Sequence, residues 1–293
     1  MSTVLITGAS SGIGEACALR LAADGWKVLA GVRQVSDGDR LRQAAGKTLL
    51  PILLDVTVPA SIAAAQKVVG DRALDGLVQS AGIVVAGPLE SVPLAALRRQ
   101  LEVNVTGVVA VAQAFLPNVR TARGRVVHIG AVSGRIAYPF LGPYAASKFA
   151  LAALTDALRM ELRPWGIHVA LVEPGAIRTS IWDKFQRAAD LPAGPRPLYG
   201  EAWDRFHRIA AASGSAAASP DEVVAAVGHA LSAERPRTRY LVAAGNPLAL
   251  ALLRALPDEL RDRFVLRSFG LHGGAELSVG GMLTLLRKTL SGS

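Results

Sequence analysis

Short runs rich in Val, Ile and Leu alternate along the chain with longer stretches in which apolar positions recur at helical spacing. The runs at residues 4–7, 28–32, 49–54, 76–79, 125–131, 168–173 and 239–242 read as strands. Between them, residues 12–23, 59–69, 93–119, 144–163 and 220–233 read as helices. Alternation of this kind builds a parallel sheet through right-handed crossovers, with both faces of the sheet covered. The expected fold is therefore α/β, a doubly wound parallel sheet of about seven strands with helices on both faces.

Two segments depart from the pattern. Residues 181–219 carry Leu191-Pro192-Ala193-Gly194-Pro195-Arg196-Pro197 and several aromatics, a composition suited to an insertion over a site, that is, a substrate lid; a plain surface loop is the alternative. Inside this insertion, residues 210–219 are of low complexity and read as a mobile loop. Residues 245–293 form a C-terminal helical extension of the same domain, so one domain spans residues 1–293. The apolar stretch at 241–256 is broken by Asn246-Pro247 and Arg254 and is too short to cross a bilayer. It reads as a strand end followed by a core or pocket-lining helix, with contact to a membrane surface as the alternative.

Composition narrows the classes. A hydrophobic fraction of 51% against 19% charged residues excludes disorder as the main state and argues for heavily buried strands. The one cysteine, Cys17, allows no internal disulfide, and Met1 leads straight into the strand Val4-Leu5-Ile6 without a signal-peptide pattern, so a cytoplasmic setting is expected. The net charge of +9 is spread over scattered arginines rather than gathered into a basic run interleaved with aromatics, which points away from nucleic acid. His128, His168, His207, His229 and His272 show no metal-ligand spacing, and no metal is expected.

The first strand runs into Thr7-Gly8-Ala9-Ser10-Ser11-Gly12-Ile13-Gly14, and a helix-favouring run follows at once. Glycines let the backbone turn tightly and approach a pyrophosphate, and the free amides and positive end of the next helix favour its charge. The second strand ends Ala30-Gly31-Val32-Arg33 with no acidic side chain. A guanidinium there suits an adenosine 2′-phosphate, which favours NADP(H) over NAD(H); the alternative is that Asp37 or Asp39 reaches the ribose.

Tyr144 and Lys148 stand four apart in a helical segment, so their side chains project from one face. A phenol alone ionises near pH ~10, and an adjacent ammonium favours its charged form and brings it toward the working range. Such a phenol can give a proton to a carbonyl oxygen, or take one from an alcohol.

With Gly-x-x-x-Gly-x-Gly, Asp55, Ala81-Gly82, Asn104, Tyr144-x-x-x-Lys148 and Pro174-Gly175, the chain resembles the classical short-chain dehydrogenase/reductase family over nearly its whole length. The resemblance implies a Rossmann-type sheet, with Gly8, Ser10, Ser11, Gly12, Ile13 and Gly14 around the cofactor phosphates. It places Asp55 and Val56 beside the adenine, Ala81 and Gly82 close to the cofactor, and Pro174, Gly175, Ile177 and Thr179 at the nicotinamide. It makes Tyr144 the acid/base and has Lys148 bind the nicotinamide ribose, while Asn104 holds a water of the proton relay. It also implies a homo-oligomer, a dimer or tetramer formed through the long helices. The stretches at 134–137 and 161–166 look like the retinol and hydroxysteroid dehydrogenase branch.

Two positions depart from the family. The serine expected 13 residues before the tyrosine is Ala131. Ser133 lies two residues on, on the same side by strand alternation, and substitutes only if the chain bends inward there. The second departure is Gln79-Ser80 ahead of Ala81-Gly82, where the family carries asparagines that brace the sheet. Tyr138, Pro139, Phe140 and Leu141 add apolar lining, so the expected substrate is a bulky hydrophobic ketone or alcohol of steroid-, retinoid- or polycyclic-like character. Ala131 keeps open an alternative, a cofactor-binding sensor or scaffold, or atypical chemistry in the same pocket.

Overall fold

Seven strands, β1 (Thr3–Thr7), β2 (Lys27–Val32), β3 (Leu49–Leu53), β4 (Gly76–Gln79), β5 (Arg125–Ile129), β6 (His168–Pro174) and β7 (Arg239–Val242), form one sheet in the order 3-2-1-4-5-6-7. Every neighbouring pair is parallel; Val4 stands opposite Val28 on one side and Gly76 on the other. This computed structural model describes residues 1–178, 196–215, 217–242, 247–269 and 271.

Alternate residues of each strand feed two apolar layers. Val4, Ile6, Val28, Ala30, Val78, Val127 and Val172 pack under α1 (Gly12–Ala23), α2 (Val35–Ala45) and the helix at Pro220–Ser232. Leu5, Leu29, Leu77, Val126 and Val169 pack under α3 (Pro59–Val69), α5 (Gly107–Ala122) and the end of α6 (Gly142–Leu162). Val4, Leu5 and Ile6 are fully buried, which is why the central strand carries no polar alternation.

The sequence pattern misses or misplaces four features. α2 is absent from it, because only Gly38 and Leu41 of that polar segment are buried and no apolar stripe advertises the helix. The single helix expected over 93–119 is α4 (Leu94–Leu101) and α5, joined by a π-helical turn at Glu102–Thr106. β5 stops at Ile129 rather than 131, and the chain enters a short 3₁₀ turn at Val132–Gly134. Residues 210–215, expected in a mobile loop, are instead the end of α7 (Arg196–Ser215), and Ala218 pairs with Ile177 in an isolated bridge. α8 (Pro220–Ser232) follows, capped by the Ser219 side chain, which accepts from the Asp221 N–H. Beyond β7 come α9 (Pro247–Ala255) and α10 (Asp258–Phe269). The remainder of the expected insertion and of the C-terminal extension lies outside the described residues.

The strand order reverses between β1 and β4. Open parallel sheets hold ligands at the carboxyl ends of the strands beside such a reversal.

Candidate active site

A cleft of about 720 Å³ lies along those carboxyl ends. Its phosphate-binding end is built by the turn out of β1. Gly8 has φ +66°, and any side chain there would stand 2.7 Å from the Ala81 Cα; a side chain at Gly14 would collide with the Gly8 carbonyl. The Thr7 hydroxyl oxygen accepts from the N–H groups of Ser80 and Ala81, each at 3.2 Å, and so holds the β1 and β4 exits together. Gly8, Ser10, Ser11, Gly12 and Ile13 line the cleft, while Gly14 is packed behind them.

At the next stretch of wall stand Arg33, Asp55 and Val56, joined by Arg99, which sequence reasoning did not single out. Burial works against the charged form of Asp55. Hydrogen bonds from the Thr57 N–H and hydroxyl, with Arg33 and Arg99 nearby, outweigh it and hold the carboxyl below its ordinary range. Asp37 and Asp39 are not among the residues lining the cleft.

Tyr144 and Lys148 form the floor, together with Ile129, Ala131 and Ser133. Lys148 is 7% exposed; its Nζ donates to the Ile129 carbonyl at 2.8 Å and lies 5.7 Å from the centre of the Tyr144 ring. Burial pulls the Lys148 ammonium down to about 8 and pushes the Tyr144 phenol up from its ordinary value. This corrects the sequence-based expectation for the phenol: desolvation, not the neighbouring ammonium, dominates its titration in the structure. Ser133 reaches the cleft because the chain has already left the strand, so its placement comes from the 3₁₀ turn and not from strand alternation.

Asn104 does not line the cleft. It sits in the π-turn behind the floor, where its amide nitrogen donates to the Ile83 carbonyl and the Ser147 hydroxyl, each at 3.0 Å, and its amide oxygen accepts from the Ile83 N–H. Ser147 in turn donates to the Tyr144 carbonyl at 2.7 Å. Gln100, fully buried, donates to the Ile83 carbonyl and accepts from the Val85 N–H. These amides fix the wall at 83–85 and the first turn of α6; Gln100 and Ser147 were legible only as helix neighbours of Asn104 and Tyr144.

The second departure is compensated in part. The Gln79 amide meets His128 Nε2 at 3.3 Å, and His128 Nδ1 meets the Thr155 hydroxyl at 2.8 Å. Thr155 gives its own proton to the Leu151 carbonyl, so His128 donates through Nδ1 and accepts through Nε2. Burial, then the Lys148 charge, pulls His128 down to about 4, which keeps it neutral. Gln79 Oε1 has no partner among the described residues.

On the far side Pro174, Gly175 and Ile177 line the cleft, and Gly175 donates to the Val242 carbonyl at 2.8 Å. Thr179 lies outside the described residues. The cleft is roofed by Tyr138 and Leu141, by Phe206, Ile209 and Ala210 of α7, and by Phe269 of α10. Phe206 and Phe269 come from segments in which no single residue was predicted. Among the described residues there is no cluster of metal-ligating side chains and no helix long and apolar enough to cross a membrane.

Comparison with known proteins agrees with this geometry. A family model described as short chain dehydrogenase matches residues 2–190. The chain is 36% identical over 280 residues to 17-beta-hydroxysteroid dehydrogenase type 6 of Bos taurus, covering 91% of the chain and 88% of that protein. It is 32% identical to the NADPH-dependent 3-dehydrocapnine reductase of Ornithobacterium rhinotracheale, covering 90% of the chain and 95% of the relative. A crystal structure of a short-chain dehydrogenase from Streptomyces avermitilis superposes with a TM-score of 0.73 at 29% identity, over 92% of this chain and 96% of that one.

Proposed function

Because the chain belongs to the short-chain dehydrogenase/reductase family, alongside hydroxysteroid and retinol dehydrogenases, we propose that it catalyses reversible hydride transfer between NADP(H) and a bulky hydrophobic ketone/alcohol pair. The observation that carries this reading is the pairing of Tyr144 and Lys148 on the floor of a cleft that has a glycine cradle at one end and an apolar roof at the other.

The cradle fits a dinucleotide: without side chains at Gly8 and Gly14, which would collide with the Ala81 backbone and the Gly8 carbonyl, the turn folds tightly and leaves backbone of Gly8, Gly12 and Ile13 facing the cleft. Gly8, Ser10, Ser11, Gly12 and Ile13 would hold the phosphates, and Asp55 and Val56 the adenine. Ala81, Gly82, Pro174, Gly175, Ile177 and Thr179 would hold the nicotinamide half, with Lys148 on its ribose. When bound, the nicotinamide supplies or accepts the hydride. Arg33 and Arg99, with Asp37 and Asp39 off the cleft wall, support NADP(H) over NAD(H).

Tyr144 gives its proton to the carbonyl oxygen during reduction and takes the alcohol proton in the reverse direction. Lys148 favours the phenolate as charge develops, and Asn104, through Ser147 and the Tyr144 carbonyl, holds the first turn of α6 in position. Ser133 takes the place of the hydroxyl missing at Ala131. The insertion at 181–219, of which α7 is a described part, acts as the lid. Exposed Phe149, Leu154 and Met160 support homo-oligomers formed through α6, and a cytoplasmic setting completes the reading.

NADPH oxidation followed by absorbance over a panel of apolar ketones tests the proposal. Turnover is expected, with Tyr144→Phe losing at least about a hundredfold while still binding NADPH. Binding without turnover on every ketone would instead support a cofactor sensor, the reading that Ala131 favours.

A further inference from the structure

Among the described residues, Ser133, Tyr144 and Tyr138 bring hydroxyl groups to the part of the cleft between floor and roof. The first two belong to the floor and are accounted for by the reacting oxygen. Tyr138 is not. Its ring lies against Phe269 of the roof, with centroids 6.3 Å apart, and its hydroxyl has no hydrogen-bond partner among the described residues. Among the described residues the roof around it is otherwise apolar: Leu141, Phe206, Ile209, Ala210 and Phe269. Burial pushes the Tyr138 phenol above its ordinary value, so it stays a neutral donor and acceptor at physiological pH.

The turn that carries Tyr138 is held in place. Leu141 N–H donates to the Tyr138 carbonyl at 3.2 Å, and Gly87 N–H donates to the Phe140 carbonyl at 2.8 Å. Phe140 itself has φ +68°, a left-handed conformation that a bulky residue rarely adopts. Its ring is locked by edge contacts to Tyr199, Trp203 and Phe206, which hold the chain in that conformation. Strain of this kind persists where surrounding packing over-determines it, and here it turns Phe140 toward α7 while Tyr138 and Leu141 face the cleft.

We propose that Tyr138 is a specificity-determining residue that hydrogen-bonds a second oxygen of the substrate, distinct from the reacting one. The substrate class is then a hydrophobic ketone or alcohol that carries a second hydroxyl or carbonyl. This rests on the hydride-transfer reading above. A phenol in an apolar roof favours a ligand that satisfies it, and it disfavours an analogue that leaves it unpaired.

The test uses a tetracyclic ketone and a set of its congeners, each with one added hydroxyl on a different ring, given to the wild-type protein and to Tyr138→Phe; the congener that the wild type most favours is the one compared with the plain ketone. Phenylalanine keeps the contact with Phe269. Two readouts are taken: kcat/KM with NADPH, and calorimetric binding of each congener to NADP-loaded protein. The wild type is expected to favour the hydroxylated congener about tenfold, and Tyr138→Phe to lose that preference. A preference unchanged in Tyr138→Phe, no preference in the wild type, or an equal loss on both congeners would overturn the assignment. If neither congener turns over but the binding preference is present and vanishes in Tyr138→Phe, the Tyr138 assignment stands and the hydride-transfer reading falls.

Discussion

Replacing Lys148 with methionine should make the nucleotide-free protein more stable at neutral pH while abolishing turnover. Lys148 is 7% exposed; its ammonium donates to the Ile129 carbonyl and lies over the Tyr144 ring, and among the described residues no carboxylate is paired with it. Burial lowers its pKa from 10.5 to about 8, which at about 1.4 kcal/mol per tenfold is a penalty of about 3 kcal/mol on the charged form. Methionine fills a similar volume without that penalty, but it leaves the Ile129 carbonyl unpaired at a cost of about 1–2 kcal/mol. The net expectation at pH 7 is a gain of about 1–2 kcal/mol for Lys148→Met.

The pH dependence gives the sign its own check. Between about 8 and 10.5 the unfolded lysine holds its proton while the folded one has lost it, so wild-type stability rises with pH across that window. Below it the penalty is present in full, and above it the penalty is gone. The advantage of Lys148→Met should therefore shrink from pH 7 upward and reverse before about pH 10.5, where only the lost hydrogen bond remains. Urea midpoints of both proteins at pH 7, 8.5 and 9.5 read this directly. A stability difference that stays flat over that range would refute the claim that Lys148 is held charged against its environment.

Two further substitutions test other parts of the site. Glu173 is 1% exposed and accepts from both Arg135 and Arg239, tying the loop that carries Tyr138 to β6 and β7; Glu173→Ala should cost about 2–3 kcal/mol in urea unfolding, below the usual toll for breaking a buried pair because both arginines keep some access to water. A loss under about 0.5 kcal/mol would show the cluster to be ornamental to the fold. Ser133→Ala should lower kcat/KM about a hundredfold if that hydroxyl steadies the reacting oxygen, with Ala131→Ser adding little to the wild type. The opposite pair of results, a neutral Ser133→Ala and a large gain from Ala131→Ser, would move the donor site back to position 131.

What could be read from the sequence follows how local the determining contacts are. α1 and α3 match the expected spans residue for residue, since Gly12 after the glycine turn and Pro59 at a helix start mark their beginnings, and a buried face supplies the period. α2 lacks such a face and passed unseen. The glycine cradle and the Tyr144–Lys148 pair were legible for the same reason: each is a short-range pattern whose spacing is its geometry. The roof is different. Tyr138, Phe206 and Phe269 meet from three distant segments, and no period in the chain connects them.

This division bears on what the protein recognises. The floor groups that move a proton are set by local spacing, and they say only that a carbonyl or alcohol oxygen arrives there. Discrimination among such molecules falls to the roof, where one phenol sits in an apolar wall on a turn strained at Phe140. A hydrophobic ketone of the right size satisfies the wall but not the phenol. Because a substrate that fills the cleft takes that hydroxyl out of water, and a desolvated polar group left unpaired costs more than an average hydrogen bond gains, the hydroxyl weighs more in the choice of substrate than any one of the apolar contacts around it.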